Sequence, residues 1–111
     1  MRRVNPETLE IEEIENDGKI YVYVLSEEGS WDYEDTSTIE IFKNFNSGLK
    51  AFFKKVKDVE QDMKEWCDED DLQSEKPDVQ RDTQYAYYEI YEDGDFDRLH
   101  SVVKLEKKEV M

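Results

Sequence analysis

Apolar and polar positions alternate most sharply in Lys19–Ser26 (KIYVYVLS), where Ile20, Val22 and Val24 fall on one face and Tyr21, Tyr23 and Leu25 on the other. A period of two is the mark of a β-strand, and apolar side chains on both faces predict a strand inside a sheet. A second short strand is expected at 38–43 (TIEIFK), where Ile39 and Ile41 alternate with Glu40. The period then changes. Leu49, Phe52, Phe53, Val56, Val59, Met63, Trp66 and Cys67 recur at spacings that put them on one side of a helix over about 47–67. Asn46 and Ser47 offer its N-cap, because either side-chain oxygen can accept an orphan amide hydrogen. A stripe this rich in Phe and Trp needs a cover, and a sheet is the natural one.

The last third reads as a hairpin, 84–92 and 96–104 around Asp93-Gly94, the preferred pair for a two-residue turn. That turn pairs Tyr88 with Leu99, Glu89 with Arg98, Tyr87 with His100 and Tyr91 with Phe96. Ala86, Tyr88, Ile90, Leu99, Val103 and Leu105 then share the helix-facing side, and Tyr85, Tyr87, Glu89, Tyr91, Phe96, Arg98, His100 and Val102 the other. An even change of loop length keeps these faces; an odd one inverts them. Between the elements, 27–37 (EEGSWDYEDTS) is expected to be a polar loop and 68–82 an acidic linker loop, while 1–17 supplies an edge strand or arm. The fold class expected is α+β: a single domain with an antiparallel sheet of four to five strands in the order (β)ββαββ, and one long amphipathic helix packed on one face.

Composition narrows the function. The chain has 111 residues, with 30 Asp and Glu against 15 Lys and Arg, a formal net charge of −15. Phosphates would repel such a surface, so direct nucleic-acid binding is not expected, nor is binding to anionic membrane. No apolar run approaches the roughly 20 residues of a membrane span. Arg2 and Arg3 precede no apolar run of the kind a signal peptide carries, and a single Cys fits a reducing compartment, so the expected location is the cytoplasm. Aromatic residues make up 13% of the chain, which favours a folded domain over a disordered acidic segment.

Catalytic chemistry is sparsely supplied. His100 sits mid-strand with no partner to poise it as a base, and Cys67 precedes Asp68, Glu69, Asp70 and Asp71, which would raise a thiol's pKa rather than lower it. Asp93-Gly94-Asp95-Phe96-Asp97 matches the start of a calcium loop. Its sixth position is Arg98 and its twelfth Lys104, where such a loop needs Gly and Glu. No enzyme activity, cofactor or metal is expected.

The acids themselves form four blocks: Glu7–Asp17, Glu27–Asp35, Asp58–Asp71 and Glu89–Asp97. On the helix, Asp58, Asp62, Glu65 and Glu69 form one narrow stripe, while Lys50, Lys54 and Lys57 crowd the N-terminal half. This opposes the helix macrodipole at a cost of about 0.3–1 kcal/mol per charge at low salt. The pattern is therefore not set by helix stability. Neighbouring carboxylates on a helix face or strand lie roughly 5–7 Å apart, close to the spacing of successive phosphates on a nucleic-acid strand. A cationic groove built for nucleic acid could be occupied by such a surface. The expected contact residues are Glu27, Glu28, Trp31, Asp32, Tyr33, Glu34 and Asp35 in the second block, Asp58, Asp62, Glu65, Asp68, Glu69, Asp70 and Asp71 along and after the helix, and Asp93 and Asp95 in the hairpin.

In size, charge and element order the chain resembles small acidic phage-encoded inhibitors of bacterial defence, the anti-CRISPR proteins and anti-restriction DNA mimics; no motif carries the resemblance. It implies a non-enzymatic inhibitor in the host bacterial cytoplasm. The implied partner is a basic nucleic-acid-binding protein such as an RNA-guided nuclease or restriction enzyme. A different expectation rests on the hairpin's aromatic face: a small adaptor or immunity-type protein that meets its partner through Tyr87 and Tyr91.

Overall fold

A computed structural model describes residues 20–95 and 98–110; the edge strand or arm expected at 1–17 lies outside these residues. Six antiparallel strands and one α-helix are present among them: β1 (Tyr21–Trp31), β2 (Glu34–Phe42), α1 (Phe45–Trp66), β3 (Leu72–Ser74), β4 (Asp78–Gln80), β5 (Tyr85–Glu92) and β6 (Leu99–Glu109). The sheet order is β2-β1-β6-β5-β3, and β4 also pairs with β5. The α+β class and the helix-on-sheet packing agree with the periodicity. So does the interior position of β1, which is hydrogen-bonded to β2 on one side and β6 on the other.

Helix α1 begins earlier than its pattern suggests. Asn44, not Asn46 or Ser47, is the N-cap: its Oδ1 accepts the Ser47 amide at 2.8 Å. The extra turn buries Phe45, which packs 6.0 Å from the Tyr23 ring. Phe52, Val56, Val59 and Met63 meet Leu25, Ala86, Tyr88, Ile90, Leu99, Val103 and Leu105 in one core. Phe53 and Trp66, expected in that stripe, are 43% and 47% exposed because they flank its arc.

Three expectations are corrected. Residues 27–37 are not a loop. β1 continues to Trp31 and β2 starts at Glu34, joined by the two-residue turn Asp32-Tyr33. Local polarity hid these strands; pairing with β6, Glu27 with Val103 through Trp31 with Leu99, creates them. Residues 68–82 are not a structureless linker either: they hold a 3-10 turn (Glu69–Asp71) and the short strands β3 and β4. These make the sheet six-stranded rather than four- or five-stranded.

The C-terminal hairpin has a longer connection than two residues. Tyr88 pairs with Val103 instead of Leu99, and Tyr91 with His100 instead of Phe96. Arg98 is consequently in the connection, outside the ladder. The shift is even, so the faces survive: Ala86, Tyr88, Ile90, Leu99, Val103 and Leu105 are all buried against α1.

Candidate functional site

β1 and β2 are joined by a turn that forces both central residues into the left-handed region, Asp32 at φ 55° and Tyr33 at φ 69°. A two-residue hairpin turn of the I′ type needs this, and a bulky residue such as Tyr adopts it only under strain. Distant contacts hold it. The Asp32 amide donates to the Arg98 carbonyl at 2.6 Å, and the Tyr33 hydroxyl donates to Asp95 Oδ2, also at 2.6 Å. The hydrogen bond to Asp95 pushes the Tyr33 hydroxyl above its ordinary pKa.

Arg98 ties this turn to two other elements. Its Nε and Nη2 grip both carboxylate oxygens of Glu92 at 2.8 and 2.9 Å, and Nη2 also donates to the Trp66 carbonyl at 3.3 Å. A fork-shaped donor on a carboxylate is the strongest arrangement of this pair. The Glu92 hydrogen bond raises the Arg98 pKa further, so it stays charged. The same guanidinium meets one of the carbonyls left without a partner at a helix C-terminus. The segment after the helix is attached as well, since the Asp93 amide donates to the Asp71 carbonyl at 2.7 Å.

Three acid blocks far apart in sequence therefore meet at one end of the molecule. Asp32 comes from the β1–β2 turn, and Glu34 and Asp35 from the start of β2. Asp68, Glu69, Asp70 and Asp71 follow the helix. Glu92, Asp93 and Asp95 come from the β5–β6 connection. Glu92 is neutralised by Arg98, and Lys64 lies 3.5 Å from Glu69. Asp68, Glu69, Asp70, Asp71 and Asp93 are exposed. Cys67 lies beside this pole, and burial, reinforced by Glu92, raises its thiol pKa.

A groove of about 540 Å³ runs from the pole along the seam between α1 and β1. Trp31 and Trp66 stand at its pole end, edge to face with ring centroids 6.0 Å apart. Glu27, Asp58 and Asp62 line it with Lys55, Val59 and Gln61. Glu27 is not a free surface acid: it accepts the hydroxyl of fully buried Ser101 at 3.2 Å and lies 3.9 Å from Lys55. Asp58 and Asp62 are exposed and carry the groove's available negative charge.

The expected contact residues thus divide. Glu27, Trp31, Asp58 and Asp62 share the groove, and Asp32, Tyr33, Glu34, Asp35, Asp68, Glu69, Asp70, Asp71, Asp93 and Asp95 share the pole. Glu65 is exposed on the helix outside the groove lining. Glu28 is on the opposite side of the sheet from Glu27, as strand alternation requires, in a shallow cleft with Ser30, Asp35, His100 and Val102.

Two members were missed. Trp66 reads as a core residue on the helical stripe, and Arg98 reads as a strand residue opposite Glu89. The alternation of Glu and Arg around Asp93-Gly94 was the available signal for Arg98, but only the true loop length reveals its reach. His100 pairs instead with Glu89, at 2.8 Å. Among the described residues no group of His, Cys, Asp and Glu has the grouping a metal ion needs, and no helix is long and apolar enough to cross a membrane. No family model, curated protein sequence or solved structure matches this chain.

Proposed function

We propose that this protein acts by binding rather than catalysis, and that its acidic pole and tryptophan-lined groove occupy the cationic cleft of a nucleic-acid-binding protein, in the manner of a DNA-mimicking inhibitor of a bacterial defence nuclease. One observation carries the reading: acid blocks separated by some sixty residues meet at one end, next to two tryptophans. Concentrated charge of one sign raises the encounter rate with a cleft of opposite sign and makes association depend on salt. Tryptophan faces add a second recognition element, because a guanidinium stacks on a ring while pairing with a carboxylate. Exposed Asp58 and Asp62 beside Trp31 and Trp66 suit an arginine side chain in this way.

The test is inhibition. DNA cleavage by a panel of RNA-guided nucleases and restriction enzymes is measured with and without the full chain, at low and high salt. A target should be inhibited competitively with DNA, with potency falling steeply as salt rises. Reversing Asp68, Asp70, Asp71 and Asp93 to Lys should abolish inhibition while the circular-dichroism spectrum is unchanged. Equal inhibition by that variant, or no inhibition across the panel, overturns the proposal.

The second reading, an adaptor or immunity-type protein, draws on the half-buried Tyr85, Tyr87 and Tyr91 on the sheet face opposite α1. It requires Tyr87→Ala and Tyr91→Ala to weaken partner binding more than the four charge reversals do.

A further inference from the structure

The two edges of the sheet are built differently. On the β5 side, β3 and β4 share one edge with an interruption: Ser74 pairs with Ile90 and Asp78 with Tyr87, so three residues on the outer strands face two on β5. That is a bulge of one extra residue, and it contains Lys76 and Pro77. A bulge, a lysine and a proline are the usual means of stopping another strand from adding to an edge.

On the other side, β2 has none of these. Its nine residues, EDTSTIEIF, contain no proline, lysine or arginine and pair without a bulge along β1 from Glu34 to Phe42. Among the described residues β2 pairs with β1 alone. Because the turn is two residues long, Trp31 and Glu34 form the hydrogen-bonded closing pair. The alternate residues Asp35, Ser37, Ile39 and Ile41 then direct their amides and carbonyls outward. Ile39 and Ile41 are 64% and 57% exposed on the open face of the sheet.

We infer that β2 accepts an extended, cationic segment of another protein as an added strand. Main-chain hydrogen bonds to Asp35, Ser37, Ile39 and Ile41 supply the register, as in other strand-addition complexes. Side chains choose the occupant. A residue opposite Ile39 or Ile41 meets an apolar neighbour, and one opposite Glu34, Asp35 or Glu40 meets a carboxylate, so the fitting strand combines apolar positions with Lys or Arg. A second copy fits poorly: it would bring another chain of net charge −15, with no cation on its own β2 to offset the acids. This edge is separate from the groove and shares only Glu34 and Asp35 with the pole, so the amides of Ser37, Ile39 and Ile41 report on it alone.

A capped peptide VKVTTTKK, laid antiparallel from Ile41 to Glu34, is the probe. It should bind the full chain and slow hydrogen exchange at the amides of Ser37, Ile39 and Ile41. Ser37→Pro, which removes one outward donor, should weaken binding at least about tenfold, as should N-methylating alternate amides of the peptide. The methylated peptide needs no folded variant and keeps the test decisive should Ser37→Pro unfold. No binding, or binding that survives methylation with protection at the acidic pole instead, overturns the inference. So does protection of the same amides in a self-associated chain without peptide, which would make a second copy the occupant.

Discussion

Replacing Gly29 by alanine should destabilise the protein severely, because β1 passes unusually close to β6 there. A Cβ at this position would lie 1.9 Å from the His100 carbonyl oxygen and 2.9 Å from the Ser101 Cα, both backbone atoms that cannot rotate away. Reaching an ordinary contact of 3.4 Å requires the strands to part by about 1.5 Å. Parting of that size breaks about two ladder hydrogen bonds, worth about 0.5–1.5 kcal/mol each. Residual overpacking adds about 1–3 kcal/mol. Alanine recovers only about 0.4–1 kcal/mol by stiffening the unfolded chain. The net loss is about 1–6 kcal/mol, against the roughly 5–15 kcal/mol that a domain possesses. In urea denaturation followed by far-ultraviolet circular dichroism, the midpoint should fall by about 1–2 M. Gly29 lies between Glu27 and Trp31, so native-state tryptophan fluorescence should change too as the groove is displaced. A midpoint equal to or above that of the parent would refute the close approach and, with it, the β1–β6 register that positions Trp31.

Two further outcomes follow from local contacts. Asn44→Ala should cost about 0.5–2 kcal/mol in the same denaturation assay, whereas Asn46→Ala, at an exposed position inside the helix, should be nearly neutral; the reverse ranking would restore the later helix start. The hydroxyls of Tyr33, Tyr87 and Tyr88 are held above the ordinary value of 10.0, Tyr33 by its bond to Asp95 and the other two mainly by burial. Folded values above unfolded ones mean that their stabilising contribution is fully present below pH 10 and is lost as pH rises through the raised values. Ultraviolet titration of the protein and its three Tyr→Phe variants should show these phenols ionising late and together with unfolding. Ionisation of all three at the ordinary value in a still-folded chain would contradict this.

The kinds of element, and the faces they turn inward, were already determined by the amino-acid order. A period of two in Lys19–Ser26 and Tyr85–Glu92, and of 3.6 from Leu49 to Met63, arises from where successive Cβ atoms point, which is a property of each segment alone. That is why the buried set Ala86, Tyr88, Ile90, Leu99, Val103 and Leu105 survived a change of hairpin register: the shift was even, and parity is local. Only the tertiary structure decided which carboxylates become neighbours. Polar residues from Glu27 to Ser37 become strand because β6 and β1 offer ladders to them, a partner no window of local sequence contains. The acidic pole depends on Arg98 reaching the helix end 32 residues away and on Tyr33 reaching Asp95 across 62. Periodicity carries no information about such distances, since like charges gather only where the folded chain brings a cation, a turn and a helix terminus to the same place.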